Sequence, residues 1–160
     1  MQKNISKNVK KLTLSGITIA LYICVMFVTQ NFAFGQYQIR IATSIYALAA
    51  IHPFLILPLG IANFLSNTIM GGLGPIDMFG GFIVGLVCSA SCYYANKISV
   101  YLVSLPIILV PTLLVSTWLS YLLNIPYSAL VLSVGIGQII PGIVGILLVK
   151  YLKTPLSNLY

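Results

Sequence analysis

Between Lys11 and Lys150 the chain carries formal charge only at Arg40, Asp77 and Lys97. A water-soluble domain devotes about a quarter of its residues to charge, whereas here 6% are charged and 59% are hydrophobic. Mean hydropathy is +1.06. The only environment in which such a chain satisfies its backbone is a bilayer, and the economical solution is helical. A hydrocarbon core about 30 Å thick takes about 20 helical residues to cross, so 160 residues hold five or six crossings and almost no loop. No room remains for a soluble catalytic domain.

The spacing of breaks predicts an all-α integral membrane protein, a single transmembrane domain over 1–160. Six helices are expected over about 12–32, 41–51, 54–70, 77–95, 99–122 and 127–152. The first apolar run follows Lys3, Lys7, Lys10 and Lys11, but it is too long for a signal-peptide core and shows no clear small-x-small cleavage site. It reads as a retained first helix. Phe34 to Arg40 is polar and aromatic, expected at the interface or folded over the bundle as a cap. Residues 41–51 span only about 16 Å as an α-helix, so this short second helix is either a thin crossing or half of a re-entrant hairpin with residues 54–70. The paired glycines Gly71-Gly72 and the Gly74-Pro75 step mark a turn. Asp77 suits the N-terminus of the helix after it.

Charge tests the parity. With an even number of passes both termini share a side, and all the lysines fall on it with only Arg40 opposite. The positive-inside tendency then places both termini in the cytoplasm of a multi-pass cell-membrane protein. The net charge of +7 is therefore topological and does not imply nucleic acid. In this orientation Arg40, Asn63, Asn67, Asp77, Trp118, Tyr121 and Gln138 converge on the outer half, and His52 falls away from them.

Enzyme chemistry finds no support. HExxH, GxSxG and the phosphate-cradling GxxxxGK[ST] are absent, and one His with one carboxylate does not supply the usual acid and base pair. No cofactor is implied, and any ATP must be hydrolysed by another polypeptide. Cys88 and Cys92 share a helix face, but no His or carboxylate nearby completes a metal site; with Cys24 they read as packing.

For solute binding, polar side chains in hydrocarbon are expected to face the bundle interior. The amides of Asn63, Asn67 and Gln138 offer the donors and acceptors that read a heterocycle's edge. Trp118 offers a stacking face, and Asp77 an acceptor pair for an amidine-like edge. Each has a plainer role available: Trp118 and Tyr121 as interfacial anchors, Asp77 as a helix cap or the partner of Arg40, the amides as bonds between helices. Gly16 and Ala20, four residues apart, give the first helix a face for close approach.

Four stretches, LTLSGITIALYI, FGQYQIRIATSIYALAAIHPF, LGIANFLSNTIMGGLGPIDMFGGFIVG and WLSYLLNIPYSALVLSVGIGQIIPG, in this order and spacing resemble the QueT family. That family comprises substrate-binding (S) components of energy-coupling-factor vitamin transporters linked to queuosine precursors. The resemblance covers nearly the whole chain. It implies a compact six-helix S-component bundle that captures a heterocycle, a 7-deazaguanine such as queuine, at the outer face. It also implies release inside by toppling, in complex with a transmembrane scaffold subunit and two ATPase subunits, with Gly16 and Ala20 on the scaffold-facing side. Thr43 and Gln138 stand where the resemblance leads one to expect acidic residues, which favours an uncharged base over an aminomethyl cation. An S component for a different vitamin, a small structural or assembly protein, and a self-sufficient channel are the competing readings.

Overall fold

The structure is a computed structural model that describes the backbone of residues 2–33, 38–70 and 72–157, with side chains between residues 7 and 156. Phe34 to Tyr37 of the expected cap and Gly71 of the expected turn lie outside the described residues. All regular structure among the described residues is helical: α1 (Gln2–Ala33), a 3₁₀ helix (Ile41–Ala50), a 3₁₀ turn (Pro53–Leu55), α2 (Ile56–Ile69), α3 (Pro75–Ile98), a second 3₁₀ turn (Val100–Val103), α4 (Ser104–Leu123) and α5 (Tyr127–Ser157).

Side-chain contacts fix the direction of each segment. At one end the Lys11 ammonium lies 5.6 Å from the Phe54 ring, His52 Nε2 is 3.2 Å from the carbonyl of Leu156, and Asn96 donates to the carbonyl of Ala50 at 3.0 Å. At the other end Ile39 N–H bonds the Phe32 carbonyl, Arg40 reaches Asn63 and Asn67, and Trp118 reaches Asp77. Six segments therefore run end to end in alternation, and among the described residues the start of α1 and the end of α5 lie at the same end. The expected helical bundle is present, and four of its helices are long and apolar enough to cross a membrane.

The helix ends differ from expectation in understandable ways. α1 begins at Gln2 rather than near residue 12 because the lysine-rich start contains no Gly or Pro before Gly16, and Lys favours helix well outside an apolar run. α3 starts at Pro75, with proline at a first-turn position where its missing N–H is harmless. Gly74 before it has φ of 99°, a backbone region open to glycine. Lys97 in the last turn of α3 complements the helix dipole. Asn124, with φ of 54°, closes α4 in the left-handed conformation.

The short second segment is the main surprise. Ile41–Ala50 is wound as a 3₁₀ helix, and nine of its residues, Ala42 through Ala50, are buried. At about 2.0 Å rise per residue a ten-residue 3₁₀ helix spans about 20 Å, enough to pass from the Arg40 end to the Asn96 end. Its alanines leave a thin rod around which the α-helices close. The Ser44 hydroxyl donates to the Ile41 carbonyl at 2.7 Å, and the Thr43 hydroxyl, with a single proton, lies 2.7 Å from the Arg40 carbonyl as one of two acceptors it faces. Tyr46 on this rod stacks on Tyr22 of α1, with their hydroxyls 2.9 Å apart. Around it Leu55, Leu59, Ile107 and Val149 complete the core. The thiols of Cys88 and Cys92 face carbonyls of Pro106 and Val103 in that core.

Candidate functional site

Asn63 and Asn67 lie one turn apart on α2, so their side chains leave the same helix face. Both Oδ1 atoms accept from Arg40 Nη2, at 3.2 and 2.7 Å. Their Nδ2 groups donate the other way, to backbone carbonyls of α3: Asn63 to Gly81 at 2.7 Å and Asn67 to Asp77 at 3.1 Å. The acceptors are also four residues apart, so the two helices are locked in register. Gly81 permits it, since a Cβ there would stand 2.6 Å from Asn67 Nδ2. The amides thus hold the guanidinium of Arg40, a residue only 7% exposed, and charge-assisted bonds of this kind are the strong ones.

Asp77, in the first turn of α3, is held from two sides. Trp118 Nε1 donates to Oδ1 at 3.0 Å, and the Leu73 N–H donates to Oδ2 at 3.3 Å. The indole ring of Trp118 lies over Gly80, where a Cβ would come within 2.9 Å of it. The neighbouring glycines Gly80 and Gly81 therefore have separate purposes, one admitting an indole from α4 and the other an amide from α2.

Gln138, fully buried on α5, accepts from the Thr43 hydroxyl at 2.7 Å and donates to the backbone carbonyl of Gln38 in a longer 3.5 Å contact. The two positions where an acidic residue was expected are thus hydrogen-bonded to each other.

A cavity of about 300 Å³ opens at this end of the bundle, the small end of the size range for small-molecule sites. Its polar lining comes from Gln38, Arg40 and Asp77. Its apolar walls come from Ala33 of α1, Met70, Gly72 and Leu73 of the α2–α3 connection, and Val115, Leu119 and Leu123 of α4. A guanidinium donor, a carboxylate acceptor and aliphatic walls suit a small, mostly apolar molecule with hydrogen-bonding groups on its edge.

Six of the residues singled out from the sequence, Arg40, Asn63, Asn67, Asp77, Trp118 and Gln138, form this connected cluster, but only Arg40 and Asp77 line the cavity. The amides and the indole hold those two in place. Tyr121 does not join them: it follows Leu113 and Thr117 along the outward row of α4 and is 77% exposed. Sequence reasoning overlooked Gln38, the Leu73 N–H and the α4 wall. The signal available for the wall is the i, i+4, i+8 spacing of Val115, Leu119 and Leu123. Gly16 and Ala20 are exposed on α1, and a Cβ on Gly16 would meet nothing within 4 Å. His52 lies at the lysine end.

A family model described as QueT transporter matches residues 12–154, nearly the whole chain. No curated protein and no solved structure matches it. By that match, carried on a helical membrane bundle with a polar cavity at one end, the chain belongs to the QueT transporter family.

Proposed function

We propose that this chain is the solute-binding subunit of an energy-coupling-factor importer and that its solute is an uncharged queuosine precursor of the 7-deazaguanine class. The observation that carries the reading is the pairing of Arg40 and Asp77 in one cavity at the end away from the lysines. A guanine-type edge presents two N–H donors beside a carbonyl acceptor, which a carboxylate and a guanidinium complement. Formal charges of +1 and −1 cancel among the lining side chains, which favours a neutral guest; the Thr43–Gln138 pair adds no carboxylate for a cation.

The lysine end faces the cytoplasm by the positive-inside tendency, so the cavity opens outward. The chain is not itself an ATPase, and two ATPase subunits joined through a transmembrane scaffold supply the energy that topples the loaded subunit. The scaffold packs on α1 at Gly16 and Ala20, where small residues let a partner helix come close.

The test is retention of small molecules by the purified protein, offered 7-cyano-7-deazaguanine, queuine, folates and pteridines and analysed by mass spectrometry. Selective retention of the uncharged 7-cyano-7-deazaguanine over the aminomethyl-bearing queuine, with uptake by cells co-expressing an energy-coupling module, is the expected result. No retained heterocycle together with no uptake overturns the proposal.

A further inference from the structure

We infer that Gln38 is a solute-reading residue whose side-chain amide supplies a third polar contact, beside Arg40 and Asp77; this rests on the cavity being the binding site for a heterocycle. Gln38 has φ of 44°, one of two non-glycine positive values among the described residues. That region is disfavoured for a residue with a side chain and is open to glycine. A glutamine held there needs a cause, and such outliers gather at ligand-binding positions.

The neighbouring backbone enforces the conformation. Ile39 N–H bonds the carbonyl of Phe32 at 3.0 Å, and Gln138 Nε2 reaches the carbonyl of Gln38. The Ile39 N–H and the Gln38 carbonyl are thereby tied to α1 and α5, and the half-buried Gln38 lies on the cavity lining. Its backbone carbonyl is held by α5, whereas Asp77 belongs to α3. An amide presents a donor and an acceptor together, so it complements a ring edge that carries both, and it does so without adding charge.

The substitution Gln38→Gly separates side chain from backbone, because glycine adopts the positive φ without strain. In the purified full-length protein titrated with 7-cyano-7-deazaguanine, Gln38→Gly is expected to weaken binding about tenfold, the effect of losing one hydrogen bond. Its thermal midpoint in detergent stays equal to the parent's or rises. Unchanged affinity overturns the inference and leaves the proposed function standing. A lowered midpoint also overturns it, since the residue would then serve the fold. A parent protein that binds no heterocycle overturns the proposed function, and this inference with it.

Discussion

Asp77→Asn is the most informative single change, because it swaps one atom and leaves the side chain's shape intact. The carboxylate accepts on both oxygens, from the Trp118 indole on one and the Leu73 N–H on the other. An asparagine has one oxygen. Whichever way its amide turns, one of those donors faces an NH₂ group, so a native bond is lost and a donor is set against a donor. A solute that donates two hydrogen bonds to the carboxylate suffers in the same way. Hydrogen bonds to a charged group contribute about 1.5–3 kcal/mol, so losing one weakens affinity about 10- to 150-fold.

The chain contains a single tryptophan, and it is the one bonded to Asp77, which makes the site its own reporter. Titrating the protein with 7-cyano-7-deazaguanine while recording tryptophan emission gives the dissociation constant directly. The substitution is expected to shift emission in the unliganded protein and to move the titration midpoint by that factor, while Tyr121→Ala leaves the midpoint where it was. Unaltered emission and unaltered affinity in Asp77→Asn would refute both the described hydrogen bonding and the assignment of the cavity.

Two further outcomes follow from the packing. A Cβ on Gly85 would lie 2.8 Å from Gly60 Cα and 3.0 Å from the Leu59 carbonyl, backbone atoms that do not rotate away, so Gly85→Ala should destabilise the protein by about 1–3 kcal/mol; an unchanged thermal midpoint in detergent would contradict the close α2–α3 contact. Gly16→Leu or Ala20→Leu should leave stability within about 0.5 kcal/mol and solute affinity unchanged, because their face of α1 is open, while uptake through a co-expressed energy-coupling module is lost; equal loss of binding and uptake would remove these positions from the docking face.

The helices were legible in the sequence because charge and proline interrupt an otherwise uniform apolar background, and charge parity gathered Arg40, Asn63, Asn67, Asp77, Trp118, Tyr121 and Gln138 in one half of the bundle, all but Tyr121 meeting in the structure. Their division of labour was not. Asn63 or Gln138 taken singly has the same hydrogen-bonding capacity whether it meets a solute or a guanidinium, and only the positions of Arg40, Gly81 and Thr43 decide. The α4 wall was hidden for the opposite reason: Val115, Leu119 and Leu123 sit in a helix that is apolar all round, so composition does not distinguish cavity from lipid. Trp118 and Tyr121 look equivalent as neighbours at a helix end, yet one reaches inward across Gly80 and the other continues the exposed row. The 3₁₀ winding of Ile41–Ala50 left no mark beyond shortness and small side chains, since α and 3₁₀ turns differ by a single residue in hydrogen-bond span.

The opposite formal charges of Arg40 and Asp77 in one cavity also bear on electrical work. Displacing one elementary charge through a membrane potential involves about 2.3 kcal/mol per 100 mV. A cavity whose lining side chains sum to zero formal charge, filled by the uncharged base proposed above, adds no net charge of its own to that work. On the proposed reading, occupancy of the cavity is then expected to be insensitive to voltage.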